Sequence, residues 1–279
     1  MKKAVALLGC LVVSLCLVTG LAVAAEQEVV KAIVDAKIGV KPFANPSAQL
    51  PGLTMEKAYD LQKKVAAAMV KKGHAISGYK AGLTSKPAQK KFGVNSALLG
   101  PLFKTGEQPA GTPVDRNALV KPFIETEIGY FLGAKVNKPV KDVATLKKLV
   151  KEVCPAIELP DLRYGNLKKL KGPDLVADGV ASAKYIVGKR VPKDRVDVAK
   201  VKVALAMNGK PVFEGKASDA LGDQWQALLW LVNGVVKQGW AIEPGQILIT
   251  GALGKMTPAK PGKYEAKFGD LGTIDFSVK

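Results

Sequence analysis

Two glutamates stand two residues apart in the run Phe123-Ile124-Glu125-Thr126-Glu127-Ile128. On a strand, side chains alternate between faces, so Glu125 and Glu127 share one face and Ile124, Thr126 and Ile128 the other. Neighbouring carboxylates repel unless water or a cation lies between them, and an all-oxygen set suits a hard ion such as Mg²⁺ or Mn²⁺. An isolated pair of this kind also reads as the polar face of a half-exposed strand. A third acid, Glu158, follows in Ala156-Ile157-Glu158-Leu159-Pro160-Asp161, flanked by apolar residues as in a partly buried strand. Lys80 lies in Gly78-Tyr79-Lys80-Ala81-Gly82-Leu83-Thr84, a short apolar strand whose glycines permit tight turns or close approach of a ligand. A lysine there could bind a carboxylate or do acid–base work. It could equally snorkel from an edge strand.

Other chemistries find little support. His74 is the single histidine, beside Gly73 at a helix end, so it is expected as a cap or surface residue. No histidine-based triad or zinc site can be assembled. Cys154 precedes Pro155 among apolar residues and reads as a buried structural thiol. Gly251-Ala252-Leu253-Gly254 follows an apolar strand but lacks the Gly-Lys-Ser/Thr ending of a phosphate loop.

The elements that must position these groups are legible in outline. Glu28 to Ala36 reads as a short helix, followed by a connector punctuated by Pro42, Pro46 and Pro51. Thr54 is an N-cap candidate, and Ala58, Leu61, Val65 and Met69 repeat at helical spacing up to Gly73. Strands are expected over Ile76 to Ala81 and Ile124 to Leu132, with a short helix around Lys86 to Phe92. Val201 to Met207 and Lys210 to Phe213, joined by Asn208-Gly209, carry a strong hairpin signal. A helix over Gln224 to Gln238 should bury Trp225, Leu228, Leu229, Val232 and Val235. Strands over Gln246 to Thr250, Tyr264 to Phe268 and Gly272 to Val278 close the chain. This order predicts an α+β fold, with a helical segment over 26–75 leading into a strand-rich body over 76–279.

The 279 residues carry 42 Lys and Arg against 24 Asp and Glu, a net charge of +18. The basic residues are scattered in pairs such as Lys63-Lys64 and Lys168-Lys169, and aromatic content is 6%, so nucleic acid is not the expected partner. A positive field favours a small anionic substrate. Lys2 and Lys3, the apolar run Ala4 to Val18 and Ala22-Val23-Ala24 form a secretory leader pattern over 1–25. Export to the periplasm or beyond is therefore expected, with cleavage before Ala25 or Glu26 and no lasting membrane insertion.

Six motifs in order carry a family resemblance: G-Y-K-A-G-L-T-S (Gly78 to Ser85), F-G-V (Phe92 to Val94), P-F-I-E-T-E-I (Pro122 to Ile128), A-I-E-L-P-D-L-R (Ala156 to Arg163), V-A-D-G (Val176 to Gly179) and I-T-G-A-L-G-K-M (Ile249 to Met256). From about Thr54 onward the chain resembles the 2-keto-4-pentenoate hydratase and 4-oxalocrotonate decarboxylase branch of the fumarylacetoacetate hydrolase superfamily. The resemblance implies a rolled mixed β-sheet with flanking helices and a Mg²⁺ or Mn²⁺ site of Glu125, Glu127 and Glu158. It assigns Lys80, Asp161 and Asp178 to catalysis, and Lys80, Arg163, Thr250 and Gly251 to binding a small 2-oxo acid. A homo-oligomer is compatible with it. The implied reaction ketonises a 2-hydroxydienoate and adds water across the remaining double bond.

Two departures bear on that reaction. Hydratases of this type carry an acid two residues before the glycine matching Gly100, where this chain has Leu98; related decarboxylases are apolar there. The usual A-D-N-A-S stretch reads Ala177-Asp178-Gly179-Val180-Ala181, without its amide and hydroxyl. The alternatives to hydration are therefore decarboxylation, C–C hydrolysis of an acylpyruvate, or a binding protein that keeps the pocket without turnover.

Overall fold

The computed structural model describes residues 23–109 and 111–279. Residues 1–22, which hold nearly all of the expected leader, lie outside the described residues. Among the described residues no helix is long and apolar enough to cross a membrane.

Helix α1 covers residues 23–39, longer than its sequence pattern suggested. Helices α2 (Pro46–Gln49) and α3 (Met55–Lys71) follow, and the Thr54 side chain caps α3 by accepting the Lys57 N–H at 3.3 Å. The body begins with β1 (Ile76–Gly82), α4 (Lys86–Lys91), β2 (Leu98–Phe103), β3 (Phe123–Leu132), α5 (Val143–Leu149) and β4 (Val150–Leu159). It continues through α6 (Gly172–Ala177), β5 (Lys184–Val187), β6 (Val191–Pro192), β7 (Lys202–Met207) and β8 (Lys210–Lys216). The last elements are α7 (Gln224–Lys237), β9 (Ile247–Ile249), β10 (Thr257–Pro258), β11 (Gly262–Lys267) and β12 (Thr273–Val278). Asn208 and Gly209 both take positive φ, 51° and 74°, the geometry that suits a two-residue hairpin turn between β7 and β8.

The main sheet runs β2-β1-β9-β3-β4-β5, with β1 and β9 parallel and the other neighbours on this path antiparallel. It curls on itself. Glu107 bridges to Tyr185 and the Gln108 N–H donates to the Tyr185 carbonyl at 2.8 Å, so the chain beyond β2 meets β5. The outer face of this sheet packs Tyr79, Ile128, Tyr130, Ile157 and Leu248 against α7 and the second sheet, β12-β11-β7-β8. A separate core joins α1, α3 and α6 through Ile33, Leu61, Val65, Leu175 and Leu98. The expected α+β class and rolled mixed sheet are what the structure shows.

One expected face is corrected. Helix α7 buries Ala227, Leu228, Leu231, Val232 and Val235, while Trp225 and Leu229 are only half-buried. The stripe is rotated because Gln224 faces inward, where its amide serves Tyr130 and Thr250.

Candidate metal centre

Strand alternation and register place the three acids. Glu125 on β3 lies directly opposite Glu158 on β4, and Glu127 lies opposite Ala156, so all three side chains stand on the concave face. One carboxylate oxygen from each lies within 4.8 Å of the others, within reach of a single ion. Glu127 and Glu158 are fully buried and Glu125 is partly open.

Lys80 reaches the same space from β1. Its register with Ile249, and that of Ile249 with Gly129, puts it on the face of Glu125 and Glu127. The strand is internal, between β2 and β9, so Lys80 cannot snorkel; its side chain is 2% exposed. Its Nζ donates to Glu158 Oε1 at 2.6 Å and to the Val180 carbonyl at 3.1 Å. Burial opposes the ammonium charge, but Glu158, Glu125 and Glu127 outweigh it and raise the Lys80 pKa. Burial, partly offset by Lys80, pushes Glu125 up to about 7. Burial together with the like charges of Glu158 and Glu125 raises Glu127 well above the ordinary carboxylate value.

The set is one charge-compensating ion short. Three carboxylates face one ammonium, and Glu127 Oε1 and Glu158 Oε2 have no partner among the described residues. A buried acceptor left unpaired costs roughly 1–3 kcal/mol, more when charged. A hard divalent cation satisfies both oxygens and removes the repulsion, so the donor set fits Mg²⁺ or Mn²⁺.

Gly251 holds the second glutamate. Its N–H donates to Glu127 Oε2 at 2.7 Å, and its φ of +108° suits glycine. A Cβ there would lie 2.4 Å from Thr84 Cγ2. Thr126 secures this loop from the other face of β3, with Oγ1 donating to the Leu253 carbonyl at 2.7 Å. Gly251 thus bears on the ligand shell as a support for Glu127. Sequence reading placed Thr126 merely on the apolar face and missed this contact; its local signal is a single hydroxyl between two apolar strand residues.

The remaining expected site residues lie elsewhere. Thr250 is one residue past β9 on the outer face, and its hydroxyl donates to Gln224 Oε1 at 2.7 Å. Asp161 is fully buried and accepts the N–H groups of Val120 at 2.9 Å and Lys121 at 2.6 Å. Arg163 pairs with Asp161 at 3.1 Å, and Asp178 pairs with Lys37 at 3.0 Å and accepts from Tyr164 at 3.1 Å. None of Glu125, Glu127, Glu158 or Lys80 is a hydrogen-bond or ion-pair partner of Asp161, Asp178 or Arg163. These three residues build a second buried network whose link to Lys80 is the turn Asp178–Ser182. His74 and Cys154 behave as expected: His74 bonds Thr105 at 2.7 Å, and the buried Cys154 thiol is pushed up to about 12 by burial. Leu98 is buried on β2 opposite Gly82, on the face that carries Lys80.

No family model matches the chain. It is 28% identical over 251 residues to a 2-keto-4-pentenoate hydratase of Paraburkholderia xenovorans, covering 89% of this chain and 93% of that one. It is 31% identical over 204 residues to a 2-keto-4-pentenoate hydratase of Burkholderia vietnamiensis, covering 72% of this chain and 78% of that one. Among solved structures it is similar to the 4-oxalocrotonate decarboxylase of Pseudomonas putida G7 complexed with magnesium and adipate. The TM-score is 0.85 at 26% identity, over 94% of this chain and 98% of that one. The chain is an enzyme and belongs to the family of 2-keto-4-pentenoate hydratases and 4-oxalocrotonate decarboxylases.

Proposed function

We propose that this enzyme is a divalent-metal-dependent lyase acting on a small 2-oxo or 2-hydroxydienoic acid, a hydro-lyase of the 2-keto-4-pentenoate hydratase type. The observation that carries this reading is the buried set of three carboxylates with two unpartnered oxygens beside the Lys80 ammonium. Glu125, Glu127 and Glu158 would hold Mg²⁺ or Mn²⁺, which as a Lewis acid polarises the 2-oxo group of a chelated acid. Lys80 faces the same space, and its charge favours the negative oxygen that develops as the 2-hydroxydienoate ketonises. In a buried site that stabilisation exceeds its value in water. Water then adds across the remaining double bond to give a 4-hydroxy-2-oxo acid. The test is loss of the ultraviolet absorbance of 2-hydroxypenta-2,4-dienoate with Mg²⁺ present, alongside formation of the hydrated product. No depletion above a no-enzyme control would reject the reading.

A second reading, decarboxylation of the 4-oxalocrotonate type, is favoured by Leu98. This side chain neither donates nor accepts a proton, and it sits two residues from the position opposite Lys80. Loss of CO₂ uses the same stabilised anion but needs no acid to manage an added water. Release of CO₂ from 4-oxalocrotonate, with no hydration of the dienoate, would select this reading.

We also propose that the enzyme is exported. The leader pattern over 1–25 supports this.

A further inference from the structure

A cavity of about 250 Å³ opens where the end of α1 meets the junction of β2 and β5. It is distinct from the carboxylate centre: Glu125, Glu127, Glu158 and Lys80 do not border it. The turn Asp178–Ser182 stands between the two, offering the Val180 carbonyl to Lys80 and the Ser182 carbonyl to Lys37 and Arg163.

The polar end of this cavity is built from donors. Lys37 and Arg163 border it with side chains only 5% and 4% exposed, together with Ser182 and His74, and Lys184 completes the cationic wall. No carboxylate lines it. Asp161 and Asp178 neutralise Arg163 and Lys37 from behind. Yet Arg163 Nε and Ser182 Oγ find no partner among the described residues. Both atoms are buried in residues that border the cavity, with Asp178 Oδ1, a carboxylate oxygen that also accepts no hydrogen bond, behind them, and an acceptor-only ligand that reached the two donors would remove their cost. Burial, with the neighbouring Arg163 charge, also brings the Lys37 pKa down to about 8 despite Asp178. The rest of the wall is apolar, including Met69, Phe103 and Leu119.

We infer that this cavity is a second ligand site, for a small organic carboxylate. Its charged end would meet Lys37, Arg163 Nε–H and the Ser182 hydroxyl, and its short chain would lie on Met69, Phe103 and Leu119. The volume is below the range of about 300–1,000 Å³ usual for drug-sized ligands, so the chain is short. Phosphate fits less well, because the apolar wall leaves its remaining oxygens without donors.

The experiment is calorimetric titration of butyrate into the full-length Mg²⁺-saturated protein, comparing wild type with Ser182→Ala, Lys184→Met and Lys80→Met. Lys37→Met would strand the buried Asp178 charge and endanger folding, so the partly exposed Lys184 carries the comparison. Ser182→Ala and Lys184→Met should each weaken butyrate binding by about fivefold or more, the scale of a lost hydrogen bond or charge contact. Lys80→Met should leave it within about twofold, because Lys80 does not touch the cavity. A loss confined to Lys80→Met would place butyrate at the carboxylate centre and overturn the inference. So would the absence of saturable binding, or phosphate displacing butyrate with the higher affinity.

Discussion

Glu125 and Glu158 are direct partners in the antiparallel register of β3 and β4, yet both carry carboxylates on the same concave face. Like charges directly opposite across a ladder destabilise a sheet. Here the repulsion is relieved by Lys80 from β1, whose Nζ lies 2.6 Å from Glu158, and a cation can complete the relief. The sheet holds in place an arrangement that is unfavourable until a ligand arrives, which is how a preorganised metal site is built.

Replacing Glu127 with Gln keeps its shape and its acceptor for the Gly251 N–H but removes a ligand charge. Mn²⁺ affinity should fall by about tenfold or more, with an unchanged far-ultraviolet circular dichroism spectrum. Calorimetry returning wild-type Mn²⁺ affinity would remove Glu127 from the ligand set.

Lys80→Met retains most of the stem volume and deletes the ammonium. Turnover of the dienoate should drop by roughly 10²-fold or more while the protein still folds, the scale of other positioned acid–base and electrostatic groups. Turnover close to wild type would reduce Lys80 to a counter-ion.

Metal-free stability should depend on pH in an unusual direction. Glu125 titrates near 7 in the folded protein against an ordinary 4.5, and Glu127 is also raised. Between about pH 4.5 and 7 the native state therefore binds more protons than the unfolded chain, so these groups lower stability as pH rises through that window. Mg²⁺ should flatten the dependence by holding the carboxylates ionised, with protons released on binding. Thermal melts at pH 5 and pH 8, with and without chelator, would show it. Equal metal-free contributions at both values, after correction with the Glu125→Gln variant, would contradict it.

Thr126→Val removes the hydroxyl that ties the Leu253 carbonyl to β3 and nearly preserves volume. Stability should fall by about 1 kcal/mol, the net worth of one hydrogen bond. Metal affinity should fall by roughly 10-fold or more, as for other groups that orient ligands from behind. Unchanged Mn²⁺ binding would mean the Gly251 loop needs no such anchor.

If the chain is exported, intact mass of protein recovered from its native host should correspond to a start at Ala25 or Glu26. A mass retaining Met1 would refute the export proposal.

Local chemistry in the sequence was enough for much of this protein. The Glu125–Glu127 spacing sets both acids on one face because strand periodicity is two, and Thr54 announces α3 because its side chain can satisfy a helix amide. Asn208-Gly209 specifies its hairpin because both residues tolerate positive φ. The family motifs extended that reading to Glu158 and Lys80, whose meeting depends on strand order. Long-range placement was beyond local rules. Thr250 and Gly251 are adjacent in sequence, yet one hydroxyl turns to Gln224 on α7 while the neighbouring N–H turns to Glu127. Asp161 and Asp178 carry the same chemistry as the metal-centre acids, but the fold commits them to backbone amides, Arg163 and Lys37. Lys37 carried no signal at all: a lysine near the end of an amphipathic helix is ordinary until packing buries it against Asp178. Which charged groups share a buried space is set by strand register and helix docking between distant parts of the chain, and only the tertiary structure decides it.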